Sequence, residues 1–168
     1  MMRAPLCLCL ALPLFAACTK QPVEASPPVL SADRYGPVKF GASLADVEST
    51  VGSKARELGT KDPACHSVRF ASLPGVRFMV ENDIVTRADA GPGIANELGL
   101  APGDTLATAT ARHPALHVGP HKYEPGGHYL TMKSPDGRSA IVMEEDGKAI
   151  TKIRAGLLPS VSYVEGCL

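Results

Sequence analysis

The chain has 168 residues, room for one ordinary domain or two very small ones. With 45% hydrophobic and 20% charged residues, it belongs to the globular class and not to the disordered one. Its 17 basic and 17 acidic residues cancel, which excludes the strongly basic face that non-specific nucleic-acid binding needs.

The first element is a targeting segment. Met1-Met2-Arg3 makes a short positive end, and Pro5 to Phe15, PLCLCLALPLF, is an apolar run. At about a dozen residues it has signal-peptide length and is too short to span a bilayer. It leads into Leu14-Phe15-Ala16-Ala17-Cys18, which resembles the lipobox of bacterial lipoproteins, with Phe15 where Leu is usual. The resemblance implies that residues 1–17 are a signal peptide and that Cys18 is acylated, palmitate included. Several acyl chains on one residue anchor a protein stably, where one chain does not. No Asp follows the cysteine (the next residues are Thr19 and Lys20). By the same resemblance the anchor sits in the outer membrane and the chain faces the periplasm. An ordinary secretory signal peptide is the alternative.

Cleavage takes away one of the 17 basic residues, Arg3, and none of the acidic ones, leaving one net negative charge. Cys7 and Cys9 leave with the signal peptide, and lipid takes Cys18. Cys65 and Cys167 remain, and in an oxidising compartment an even remainder reads as one disulfide. Two free thiols are the alternative.

Residues 18–33 read as the lipidated cysteine and a flexible tether, because Thr19 to Ser31, TKQPVEASPPVLS, is rich in Pro and Ser with no apolar period. From there the chain repeats itself. GASLADVEST (Gly41–Thr50) aligns with GDTLATATAR (Gly103–Arg112), and FMVENDIVTRADAG (Phe78–Gly91) with VMEEDGKAITKIRAG (Val142–Gly156). Two matches in the same order point to a duplication, residues 34–92 and 93–168.

In the first half, Ser43 is a good N-cap, and Leu44, Val47 and Val51 share one helix face before Gly52 stops it. HSVRFAS (His66–Ser72) alternates as a strand. VRFMV (Val76–Val80) and IVTRAD (Ile84–Asp89) flank a tight turn at Glu81-Asn82-Asp83. In the second half, Asp104 or Thr105 caps a helix carrying Leu106, Ala109 and Ala111, which Pro114 ends. HYLTMK (His128–Lys133) is a strand, and Ser134-Pro135-Asp136-Gly137 a turn. RSAIVME (Arg138–Glu144) and KAITKIR (Lys148–Arg154) form a hairpin across Glu145-Asp146-Gly147. VSYV (Val161–Val164) reads as a last strand. The expected fold class is therefore α+β, two tandem repeats, each a short helix packed on an antiparallel β-sheet.

The Gly-x-Ser-Leu-Ala-Asp-Val helix start followed by strands is similar to the small α/β units of outer-membrane assembly lipoproteins and of tandem-repeat β-lactamase inhibitor proteins. The closing Tyr-Val-Glu-Gly-Cys looks like that of periplasmic lipoproteins of proteobacteria. The resemblance implies a binding or inhibitory scaffold.

No Gly-x-Ser-x-Gly, Ser-x-x-Lys or complete dinucleotide fingerprint is present. Four of the five histidines, His113, His117, His121 and His128, fall between Ala109 and Met132. Pro114 and Gly119-Pro120 interrupt any helix that would set them at ligand spacing. A loop site of His117, His121, Glu124 and His128 is the metal alternative, but neither metal nor cofactor is expected. Aromatic and charged residues on a backbone stiffened by Gly and Pro suit a recognition loop instead, with His117, His121, Lys122, Tyr123, Glu124, His128 and Tyr129 as its contacts. The acidic run Glu144-Glu145-Asp146 reads as a solvated hairpin tip. The expected function is non-enzymatic binding of a periplasmic or envelope protein, as an inhibitor or immunity-like protein, with no nucleic-acid partner. The alternatives are an assembly accessory of the outer membrane, an envelope glycan binder and, last, a metal-dependent enzyme.

Overall fold

A computed structural model describes residues 27–167. The signal peptide, the lipobox with Cys18, and the tether as far as residue 26 lie outside the described residues. Among those described, β1 (Leu30–Ser31), β2 (Arg34–Tyr35) and β3 (Val38–Lys39) make a small antiparallel meander. Then follow α1 (Leu44–Val51), β4 (Arg56–Glu57), β5 (His66–Arg69), β6 (Val76–Glu81) and β7 (Ile84–Ala90). The rest is α2 (Leu106–Arg112), β8 (His117–Pro120), β9 (His128–Lys133), β10 (Ser139–Glu145), β11 (Ile150–Leu157) and a 3-10 turn, Ser160–Ser162. Strands β4 to β11 form one antiparallel sheet in the order β4-β5-β6-β7-β11-β10-β9-β8. The molecule is thus α+β, with a large sheet and few helical residues. No helix among the described residues is long and apolar enough to cross a membrane.

Local chemistry explains the helix ends. The Ser43 hydroxyl accepts from the Asp46 N–H at 3.1 Å and donates to the Asp46 carboxylate at 2.7 Å, and Gly52 closes α1 at φ 67. Thr105, not Asp104, caps α2 by accepting from the Thr108 N–H at 3.1 Å. The sheet alternates, so its two faces differ. Leu130, Ile141, Met143, Ile153 and Ala155 face a core closed by Leu44 and Val47 of α1, Ala109 of α2, and Leu30, Tyr35 and Val38 of the meander. Ala140 and Val142 face the other way and pack with Val161, Tyr129 and Leu158.

Four expectations need correction. The tether is shorter than read, because Leu30 is fully buried, its N–H donates to the Ala95 carbonyl and its carbonyl accepts from Glu97. The histidine stretch is not loop as far as His128: His117–Pro120 is strand β8, an edge strand that Pro120, with no N–H to offer, helps to end. Val161–Val164 is not a strand; the chain makes its 3-10 turn there and lies across the sheet face without joining its ladder. Finally, Glu144 and Glu145 are not solvated. They belong to β10 and are 3% and 2% exposed.

Candidate binding face

The sheet face turned away from the helices is charged at its centre. Cross-strand pairing places Arg77 of β6 beside Asp89 of β7, and Asp89 beside Arg154 of β11. Lys152 of β11 lies beside Glu144 of β10, which lies beside Tyr129 of β9. Charges of both signs therefore alternate across four neighbouring strands.

Glu144 and Arg154 are sealed from water, Asp89 is half-buried, and Arg77 and Lys152 are exposed; each is paired, as buried charges must be. Glu144 accepts from the Arg154 guanidinium and from Lys152 Nζ at 3.0 Å. Burial pushes its carboxyl upward, but hydrogen bonds and charge from Lys152 and Arg154 together prevail and hold it below the usual glutamate range. Arg87 donates through Nε to Asp89 at 3.0 Å. Its burial lowers its proton affinity, and Asp89 offsets that in part. Thr86 and Ser160 both donate to Glu81. A cavity of about 330 Å³ opens among Arg77, Arg87, Asp89, Lys152 and Glu165. A second of about 430 Å³ adjoins it at Glu144 and Lys152, walled by His121, Glu124 and Lys148. A third cavity, about 700 Å³, lies at the far end near Phe40 and Leu158. Its charged lining includes Asp136 and Arg138, an exposed pair closed within one turn.

The structure divides the seven residues of the expected recognition loop. His121, Lys122, Tyr123 and Tyr129 come to the charged face. The His121 ring stacks on Tyr129 with centroids 4.5 Å apart, and its Nε2 lies 3.7 Å from Glu144. His121 Nδ1 accepts from the backbone N–H groups of Tyr123 and Glu124, both at 3.1 Å, which shapes the turn that presents Tyr123. Glu124 is exposed at the rim of the second cavity. His128 is not part of this face. It alternates with Tyr129 and meets Glu145 Oε2 at 2.8 Å on the side of Leu130. His117 is exposed on β8, and His113 contacts the Leu98 carbonyl at 2.7 Å. Among the described residues, no three His, Cys, Asp or Glu are grouped to hold a metal ion.

Sequence reasoning missed Arg77, Arg87, Asp89, Glu144, Lys152 and Arg154. One signal was available. Arg87 and Arg154 each stand among the β-prone and small residues of the second strand of a hairpin, just before Ala. The two remaining cysteines are brought together: the sulfurs of Cys65 and Cys167 are 2.03 Å apart, bonding distance. Comparison with known proteins adds nothing to this geometry, since no family model, curated protein or solved structure matches the chain.

Proposed function

We propose that this chain is a non-enzymatic binding protein of the inhibitor or immunity type. It docks a partner protein of the periplasm or envelope on the charged face of its sheet, and the acylated Cys18 anchors it to the outer membrane. The observation that carries the reading is the face itself. Paired, buried charges at its centre are surrounded by exposed Tyr123, Tyr163, Arg77 and Lys152. Tyr and Arg are the residues that dominate protein interfaces, and satisfied charges beneath them set register and exclude wrong partners. The paired acids speak against proton-transfer work: buried Glu144 is held ionised by two cations, and half-buried Asp89 is tied to Arg87.

The proposal includes the tandem duplication. The strand order reads outward from the β7–β11 seam as two series of four. The seam itself is antiparallel, as a twofold relation between the halves requires. Both helices start on a hydroxyl that accepts the N–H three residues on.

The test is photo-crosslinking in intact envelopes with Lys152→p-benzoylphenylalanine. A single discrete adduct, lost with Arg77→Glu, is the expected result. The absence of any specific adduct would overturn the reading, and adducts to membrane barrels would replace it with the assembly role. Cys18→Ala tests the anchor: the variant should leave the membrane fraction, and retention there removes the lipid from the proposal.

A further inference from the structure

The face already holds a peptide, and that peptide is the chain's own segment after β11. After the 3-10 turn, Tyr163 is extended at φ −67 and ψ 129, and the segment runs back across the sheet to Cys167. Arg154 Nε donates to the Val161 carbonyl at 2.7 Å, and Arg87 Nη1 to the Tyr163 carbonyl at 2.6 Å. Two residues further on, the Glu165 carboxylate accepts from the Tyr123 hydroxyl and lies 3.4 Å from Lys122 Nζ. The same contacts hold Glu165 below the usual glutamate range, through Tyr123 first, and raise Lys122.

These grips divide in kind. The two arginines take main-chain carbonyls, one within the 3-10 turn and one just after it, which a main chain offers whatever its side chains. Lys122 and Tyr123 take a carboxylate, which within a chain an acidic side chain offers and a neutral one does not. Beyond these contacts the end of the strap is only partly packed, with Val164 half-buried. From residue 164 onward, no backbone–backbone hydrogen bond holds it among the described residues. Its remaining tie is the Cys65–Cys167 bond. A segment held by side chains and one covalent latch, over donors suited to an acidic peptide, has the arrangement of a ligand in a site.

We propose that this face reads a short acidic segment of its partner protein, and that the strap through Glu165 is the resident self-ligand, latched by Cys65–Cys167. The proposal rests on the binding-face reading and specifies the partner's chemistry. A dithiol reductant opens the latch: Cys65 and Cys167 each take up one electron and one proton, and the dithiol leaves as its disulfide. The strap then competes with the partner only as a tethered segment at finite effective concentration.

The probe is a fluorescein-labelled peptide SVSYVEG, copying residues 160–166, read by anisotropy. The oxidised chain is compared with the full-length Cys65→Ser/Cys167→Ser/Glu165→Lys variant, whose strap is unlatched and repelled by Lys122. The variant should bind the peptide at least about tenfold more tightly than the oxidised chain, and a peptide with Gln in place of Glu should lose about tenfold, the scale of one charge-assisted contact. Equal binding by variant and wild type, or equal binding of the two peptides, overturns the proposal. If the variant fails to fold, Glu165→Gln with the disulfide intact takes its place. Acetylation of Lys122 should then run several-fold faster than in the wild type, and an unchanged rate overturns the proposal. A crosslinked partner obtained alongside a failed peptide experiment leaves the binding function standing and removes only the self-ligand.

Discussion

Glu144 stays ionised although only 3% of it is exposed, because Arg154 and Lys152 converge on its carboxylate. The two cations are not equivalent. Arg154 is itself sealed from water, whereas the Lys152 side chain is 72% exposed. Arg154→Ala leaves a buried carboxylate short of its partner and should cost about 3–5 kcal/mol of unfolding free energy. Lys152→Ala should cost less than about 1 kcal/mol, as solvent already screens that pair. Urea denaturation of both variants at neutral pH tests the contrast. The depressed carboxyl also sets a pH dependence. Its folded pKa lies below its unfolded value, so the unfolded chain binds the proton first as acid is added. The stability from Glu144 is present above the ordinary glutamate value of about 4.3 and is lost as pH falls below it. Denaturation curves between pH 3 and pH 7 should therefore fall less steeply toward acid in Glu144→Gln than in the wild type.

Elements were legible where a rule acts within a few residues. Ser43 and Thr105 are hydroxyls placed before short apolar periods, and both caps form. Ser43→Ala should cost about 1 kcal/mol, read as a lowered thermal midpoint. The hairpin β6–β7 turns where Glu81-Asn82-Asp83 suggests, with Asn82 and Asp83 both at positive φ. Strand β8 was not legible, since Gly and Pro within HVGP read as loop and only pairing with β9 makes it a strand. The segment from Val161 failed in the other direction: Val161 and Ser162 lie in the 3-10 turn, and the residues after it cross the sheet face and join neither edge. The seam between β7 and β11 depends on a missing side chain. A Cβ at Gly156 would lie 2.3 Å from the Thr86 carbonyl oxygen and 2.8 Å from Arg87 Cα. Gly156→Ala should therefore push the strands apart beneath Arg87 and cost about 1–3 kcal/mol, measured by chemical denaturation.

At the scale of the whole molecule, one bond joins residues 102 apart and ties the last described residue to the start of β5. Reducing it should lower the unfolding free energy by up to about 4–5 kcal/mol in the chain-entropy account. Guanidinium denaturation with and without a dithiol, under otherwise equal conditions, gives that difference. By itself the sequence determined both helices, the two central hairpins and the cysteine pair available for bonding. Caps, turn glycines, alternation and counting need no knowledge of distant neighbours. It also singled out Lys122 and Tyr123. Only the tertiary structure decided what those residues meet, which face carries charge, and that Arg87 and Arg154 serve the strap and not solvent. The reason is distance along the chain. Arg87 is held by a carbonyl 76 residues away and Tyr123 by a carboxylate 42 residues away, so no local pattern records either partner.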